Sequence, residues 1–258
     1  ENSFIPRGNG RCYGDASLAP RTISTLKFDK MLGFDRVAGI FECQSGLLLD
    51  QILTVIIPRG WFLPVTPGTK FITVGGAVAS DVHGKNHHID GSFSNHLLDM
   101  DLVLISGETI TCSPDSHTDL FQATCGGMGL TGIITRVKFR LKKIETSFIK
   151  QKQIRAENLD ELIHLFEKYH QYTYSVAWID CLKKGAGFGR SILMLGEHAR
   201  ITELDAKQQR NPLAVQKKRP VNFPVNLPSW VLNRFTVKAF NQLFYTKNFK
   251  REINRLIY

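Results

Sequence analysis

The spacing of apolar residues along this chain changes period several times, and each change predicts an element. In "VAGIFECQSG" apolar and polar side chains alternate and then give way to Ser and Gly, the pattern of a strand running into a turn. The next stretch, "SGLLLDQILTVIIPRG", repeats its apolar positions at helical spacing. Ser45 is placed to cap its start, and Pro58 and Gly60 end it. "DMDLVLISGETITCS" reads as a hairpin turning at Gly107 and Glu108, and "SHTDLFQATCGG" as a short helix stopped by glycine. "TGIITRVKFRLKKI" alternates like a half-buried strand. Together these predict an α+β domain ending near residue 148.

Beyond that point the pattern differs. "AENLDELIHLFEKYHQ" sets Leu159, Leu162, Ile163, Leu165 and Phe166 along one helical stripe, and "YSVAWIDC" and "RSILMLGEH" predict strands. Residues 149–258 therefore read as a second domain, a sheet covered by helices. "KKRPVNFPVNLPSW" is broken by prolines and predicts a loop. After it, Val231, Leu232, Phe235, Ala239, Phe240, Leu243 and Phe244 return to a helical period in a stretch that is also rich in Lys and Arg.

Composition narrows the classes. At 258 residues and 43% hydrophobic, the chain has room for one large core or two smaller ones. No apolar run reaches the roughly 18 residues of a membrane-spanning helix. The opening "ENSFIPRGNGRCYGD" reads as the middle of a fold, so residues are expected to be missing at both ends. The five cysteines, Cys12, Cys43, Cys112, Cys125 and Cys181, are odd in number, scattered and without C-x-x-C. That argues against a disulfide scaffold or a zinc ribbon, and for a reducing, cytoplasmic setting. Net charge is +10, but residues 1–150 carry 15 Lys and Arg against 14 Asp and Glu, whereas residues 151–258 carry 18 against 9. The second part thus projects a positive field toward a phosphorylated substrate, an anionic membrane or a nucleic acid, and a solvated basic surface accounts for the same numbers.

Three glycine-rich stretches carry the candidate chemistry. "PRGNGRCYGD" has a G-x-G-x-x-x-G spacing, which is not the dinucleotide fingerprint of the doubly wound fold. Its glycines still let amides converge on a diphosphate, each charge-assisted bond contributing roughly 1.5–3 kcal/mol. A plain turn is the alternative. "TPGTKFITVGGAVASDVHG" predicts a helix starting near Gly75, with its first amides aimed at an anion and small side chains that admit a flat ring. Close helix–strand packing would need the same residues. "CGGMGLTGIITRV" is a glycine loop feeding a strand, either a turn or a cover over one end of a cofactor. In "HGKNHH", His83, His87 and His88 do not follow a metal-binding spacing, and Gly84 breaks any helical face between them. One catalytic or ring-contacting histidine among structural ones is the reading, and no metal is expected.

Taken together, "PRGNGRCYGD", "PGTKFITVGGAVASDVHGKNHHIDGSF" and "GGMGLTGII" resemble the flavoenzymes of the vanillyl-alcohol oxidase type, with their PCMH-type FAD-binding domain. The likeness is nearest to the branch of epimerase oxidase subunits that act on polyprenyl-phosphate-linked ribose. "YTYSVAWIDC" and "GFGRS" extend it into the second part. The resemblance implies an FAD-binding domain over residues 1–148 and a substrate domain with an antiparallel sheet over 149–258. It implies FAD held against Arg7, Gly8, Asn9, Gly10, Arg11, Cys12 and Tyr13, and along Gly68, Thr69, Thr73, Gly75, Gly76, Ser80 and His83, with Ile133 or Ile134 near the adenine half. Arg11 stands where many members carry a tethering histidine, so FAD is expected to be non-covalent.

The implied reaction is oxidation of a sugar carbinol to a ketone by hydride transfer to the flavin. His83 is expected at the flavin–substrate junction, Lys85 as a cation near the sugar or its phosphate, and Trp178 as a wall of the substrate pocket. A surface lysine and a core tryptophan are the plainer readings of the last two. A polyprenyl-phosphate-linked sugar, a reductase partner that completes an epimerisation and a peripheral membrane contact are implied as partners. Two other readings stay open: a sugar-lactone or alditol oxidase with a soluble substrate, and a basic nucleic-acid-binding module, for which no motif is present.

Overall fold

The structure is a computed structural model that describes residues 4–215, 228 and 231–247, and the backbone of residues 252–257. The chain divides into two compact units, Glu1–Ile144 and Glu145–Tyr258. The proline-broken stretch predicted as a loop lies outside the described residues apart from Pro228.

In the first unit β1 (Ile5–Arg7) and β2 (Thr22–Ser24) form a parallel pair. They are followed by β3 (Met31–Asp35), β4 (Ile40–Gln44), α1 (Leu49–Ile56), β5 (Trp61–Phe62), α2 (Val74–Ala79) and α3 (His87–Asp90). The unit closes with β6 (Leu97–Val103), β7 (Thr109–Cys112), α4 (Thr118–Thr124), β8 (Ile133–Arg140) and β9 (Lys142–Lys143). A five-stranded antiparallel sheet runs in the order β3-β4-β8-β6-β7. Alternation decides its faces: on β4, Phe41 and Cys43 are buried while Ile40, Glu42 and Gln44 are half-buried. Phe41 meets Phe139 directly across the β4–β8 ladder, ring centroids 5.8 Å apart, and joins one core with Ile52, Ile56, Val74, Val78 and Phe93.

Ser45 does not cap α1. The cap is Leu48, whose amide donates to Gln51 Oε1 at 2.9 Å. Residues 45–47 are drawn into the sheet region instead. Ser45 N donates to Thr135 O at 3.0 Å, Gly46 N to Phe28 O at 2.7 Å, and Ser45 O accepts from Gly75 N at 2.7 Å. Tertiary bonds to that backbone leave helical geometry to begin three residues later.

On the polar face of the sheet Arg136 gathers three acids. Its Nε lies 2.7 Å from Asp101 Oδ2, its Nη2 2.7 Å from Asp99 Oδ1, and its Nη1 3.2 Å from Glu42 Oε1. The bonds from Arg136 hold the Asp101 carboxyl below its usual range. Because the folded pKa is depressed, this contribution is present above about pH 4 and is lost as pH falls through the folded value. Arg136→Leu is expected to cost roughly 2–3 kcal/mol at pH 7, somewhat under a fully buried pair. The stranded carboxylates then gain protons more readily, so the deficit should shrink on acidification, as urea melts at pH 7 and pH 4 will read. A deficit independent of pH would remove the electrostatic explanation.

In the second unit the order is β10 (Ile149–Ala156), α5 (Leu159–Lys168), β11 (Tyr174–Ile179), β12 (Ser191–His198), α6 (Ala206–Gln209), α7 (Arg234–Lys247) and β13 (Glu252–Ile257). The antiparallel sheet is ordered β11-β12-β10-β13. Asn158 caps α5, its side chain accepting from Glu161 N at 2.9 Å. Leu162 and Leu165 are buried against Ile154, Leu193 and Leu195. The expected stripe is narrower than read: Ile163 is half-exposed, one helical step around from Leu162.

Residues 252–257 add β13 to the sheet, a strand that the apolar pattern did not predict, since the edge of β10 offers backbone partners in register from Ile149↔Ile257 onward. On α7 the apolar period does not mark the packed face. Phe235, Phe240 and Leu243 on it, and Leu232 just before it, are all at least 60% exposed, and the buried position is Asn241. What α7 docks on is an ion pair, Arg190 with Asp180, and that calls for polar partners. Asn241 Nδ2 donates to Asp180 Oδ1 at 2.7 Å, and Arg190 Nη1 donates to Gln242 Oε1 at 2.9 Å. Among the described residues no helix is long and apolar enough to cross a membrane.

Candidate functional site: a cleft between three glycine loops

The first glycine loop leaves β1 at Arg7. A Cβ on Gly8 would stand 2.3 Å from Thr73 Oγ1, so only glycine lets this backbone lie against α2. Asn9 Nδ2 donates to Phe71 O at 2.7 Å and ties the loop to the second glycine stretch. The Arg7 guanidinium folds back on Gly10, whose φ is +59°. No amide of residues 8–13 donates to a protein acceptor among the described residues. Arg11, Cys12 and Tyr13 are exposed, with Cys12 Sγ 3.1 Å from Ser17 Oγ.

The second stretch forms α2 with Thr73 as N-cap, Thr73 Oγ1 accepting from Gly76 N at 3.1 Å. The expected anion site at its first turn is not there. Val74 N donates to Leu47 O at 2.9 Å and Gly75 N to Ser45 O at 2.7 Å, so those amides are already used. Gly75 serves close packing, since a Cβ on it would meet Ser45 Cβ at 2.8 Å. The third loop is pinned to the end of α2 by Gly126 N to Val78 O at 3.1 Å and Met128 N to Ala79 O at 2.8 Å. Ser80 Oγ adds a contact to Met128 Sδ at 3.7 Å.

The loops enclose one cleft, lined by Pro6, Gly8, Thr25, Ser45, Gly75, Gly76, Ala79, Met128, Gly129, Gly132 and Ile134. Of the residues singled out in the sequence, Gly8, Gly75, Gly76 and Ile134 line it, and Arg7, Asn9, Gly10, Thr73 and Ser80 buttress it. Ile133 precedes Ile134 on β8 and so faces the opposite side of the sheet. Thr69 Oγ1 accepts from Phe71 N at 3.2 Å, and the Gly68 backbone passes near Tyr13 Oη. Thr25, Ser45, Met128, Gly129 and Gly132 were missed. The glycines of the third loop carried a signal, whereas Ser45 resembled a helix cap.

The histidine segment is held from below by polar side chains, of which Asn86 is buried. Asp81, at φ +37°, accepts from Ser94 N at 2.9 Å and from Ser92 Oγ at 2.8 Å. Asn86 is fully buried and donates to Pro64 O at 2.6 Å and Asp90 Oδ2 at 2.7 Å. Lys142 Nζ reaches the same Asp90 oxygen at 2.8 Å. Gly84 is required because a Cβ there would lie 2.4 Å from Thr66 O. On this frame His83, Lys85, His87 and His88 are exposed, the His83 and His87 rings edge to face at 5.5 Å. In the second unit Trp178 is half-buried, its ring 4.9 Å from Phe244. Burial pushes the thiols of Cys43 and Cys125 up to about 12, so both stay protonated and unreactive at neutral pH.

Residues 1–113 match the family profile described as FAD binding domain. The chain is 36% identical to the decaprenylphosphoryl-beta-D-ribose oxidase of Mycolicibacterium smegmatis, over 95% of this chain and 54% of that protein. It belongs to the FAD-binding flavoenzymes of the vanillyl-alcohol oxidase type. An uncharacterized protein of Streptomyces coelicolor is 38% identical over 74% of this chain and 51% of its own length. A putative D-arabinono-1,4-lactone oxidase of Neurospora crassa is 27% identical over 62% of this chain and 28% of its own. The chain spans about half the length of the first two relatives. FAD is the family's cofactor, and the residues present fit it: a glycine cradle that a Cβ would fill at Gly8, beside a run of unpaired amides suited to a diphosphate.

Proposed function

We propose that this flavoenzyme oxidises a sugar carbinol to a ketone, with ribose linked to a polyprenyl phosphate as its substrate. The observation that carries the reading is the cleft itself: glycine backbone on three sides, with unpaired amides leading out along residues 8–13. Residues 1–148 are proposed to hold FAD and residues 149–258 to contribute to substrate binding. Bound FAD supplies a hydride acceptor. In this proposal residues 7–13, with Gly68, Thr69, Thr73, Gly75, Gly76 and Ser80, seat the cofactor, and Ile134 borders its adenine half. Arg11 cannot form the bond that a tethering histidine makes, so the flavin is held without covalent attachment. A ring nitrogen of the exposed His83 accepts the proton of the reacting hydroxyl, and Lys85 Nζ steadies the anionic sugar.

The likeness to the ribose oxidase supports the choice of substrate, and the charge of residues 151–258 supports an anionic one. Arg234, Lys238 and Lys247 share α7 with exposed Leu232-side apolar residues Phe235, Phe240 and Leu243, which supports a peripheral contact with an anionic membrane. A reductase that returns hydride to the ketone would complete an epimerisation.

The full-length protein is expected to be yellow, to release its flavin into the supernatant on acid precipitation, and to bleach with polyprenyl-phosphoryl ribose. His83→Ala should keep the colour and slow bleaching about 10²–10⁴-fold. A protein that stays colourless in excess FAD overturns the cofactor assignment. Bleaching by aldonolactones or alditols instead of the lipid-linked sugar overturns the substrate.

A further inference from the structure

We infer that the Ser45 hydroxyl donates a hydrogen bond to the diphosphate of bound FAD. The inference rests on the FAD reading and adds to it a residue that the sequence pattern marks only as a helix cap.

Ser45 is 1% exposed, and its Oγ is buried with no hydrogen-bond partner among the described residues. The other oxygen in that condition, Asp99 Oδ1, faces the Arg136 guanidinium at 2.7 Å and is compensated by charge. That leaves Ser45 Oγ as the buried hydroxyl without a hydrogen bond among the described residues. The residue is firmly placed, since its N donates to Thr135 O at 3.0 Å and its O accepts from Gly75 N at 2.7 Å. An isolated buried hydroxyl is destabilising, and alanine would occupy the same space without that penalty.

The surroundings indicate where its partner comes from. Ser45 lines the cleft beside Gly8, Gly75 and Gly76. The nearby hydroxyls have partners of their own: Thr73 Oγ1 accepts from Gly76 N at 3.1 Å, and Thr25 Oγ1 donates to Arg7 O at 3.4 Å. Gly75 has no side chain to offer, and the space where one would begin is filled by Ser45 itself. The remaining approach is the open cleft. The run of unpaired amides starts at Gly8 on the same cleft, so an anion that satisfies them presents its oxygens to this hydroxyl.

Ser45→Ala separates this role from a structural one, because the two effects have opposite signs. The variant's FAD dissociation constant should rise on the order of tenfold, the scale of one hydrogen bond to a charged group. The apo protein's Tm should stay level or rise by about a few degrees, since an unsatisfied group has been removed. ADP, measured by competition, should weaken by the same factor as FAD. Wild-type affinity in the variant overturns the assignment, as does a loss of FAD affinity accompanied by a lower apo Tm. An ADP constant that does not move overturns the placement on the diphosphate. A wild-type protein that binds no FAD overturns the cofactor reading itself, and this assignment with it.

Discussion

Arg190→Met is expected to destabilise the second unit by about 3–5 kcal/mol, the scale for removing one member of a buried ion pair. The Arg190 and Asp180 side chains are 8% and 2% exposed. Arg190 Nε and Nη2 both reach Asp180 Oδ2, at 2.9 and 2.8 Å, and the guanidinium lies 4.5 Å from the Tyr245 ring centre. The Tyr245 hydroxyl in turn donates to Ala156 O at 3.1 Å. Removing the arginine strands a carboxylate and loosens α7 from the β11 and β12 ends. Urea unfolding followed by circular dichroism measures the loss, and the paired change Asp180→Leu with Arg190→Met should recover much of it. Burial alone would push the Asp180 carboxyl up, but the bonds from Arg190 and Asn241 outweigh it and the net shift is downward. The pair's contribution is therefore present above about pH 4 and fades as pH falls through the lowered value. A single variant as stable as wild type would show that the pair is not what holds α7.

Gly8→Ala should weaken FAD binding about a hundredfold, equivalent to one or two lost charge-assisted hydrogen bonds. The added Cβ would stand 2.3 Å from Thr73 Oγ1, and Thr73 is held in place as the cap of α2. Either the loop of residues 8–13 moves away from the cleft or the cap is displaced, which costs about 1 kcal/mol of stability. The fold should thus survive a change that the cofactor does not. Quenching of flavin fluorescence on titration gives the affinity, and thermal melting of the apo protein gives the stability. Equal affinities for FAD in variant and wild type would dismiss the cleft as the cofactor's seat.

Local patterns were enough to find β4, β8, β11, β12 and α5, because in each the period of apolar residues records a face turned to a core formed nearby. The glycine stretches were also visible, since positions such as Gly10 at φ +59° and Gly129 at φ +82° demand that residue wherever the rest of the chain lies. The histidine segment showed its composition but not its construction. Asn86 and Asp90 read as ordinary polar residues until Pro64 and Lys142, distant in sequence, are seen to need them.

On its own, then, the amino-acid order marked the elements just named, the α+β class, the three glycine loops and the family they point to. It did not determine that residues 8, 45, 75 and 129 share one cleft, because the register of β4 on β8 and the seating of α2 bring them together. Nor could periodicity tell that α7 turns Asn241 inward and Phe235 and Phe240 outward, or that Ser45 is a lining group rather than a cap. In both cases a buried polar contact made far along the chain outweighs the local preference, and only the folded arrangement contains that contact.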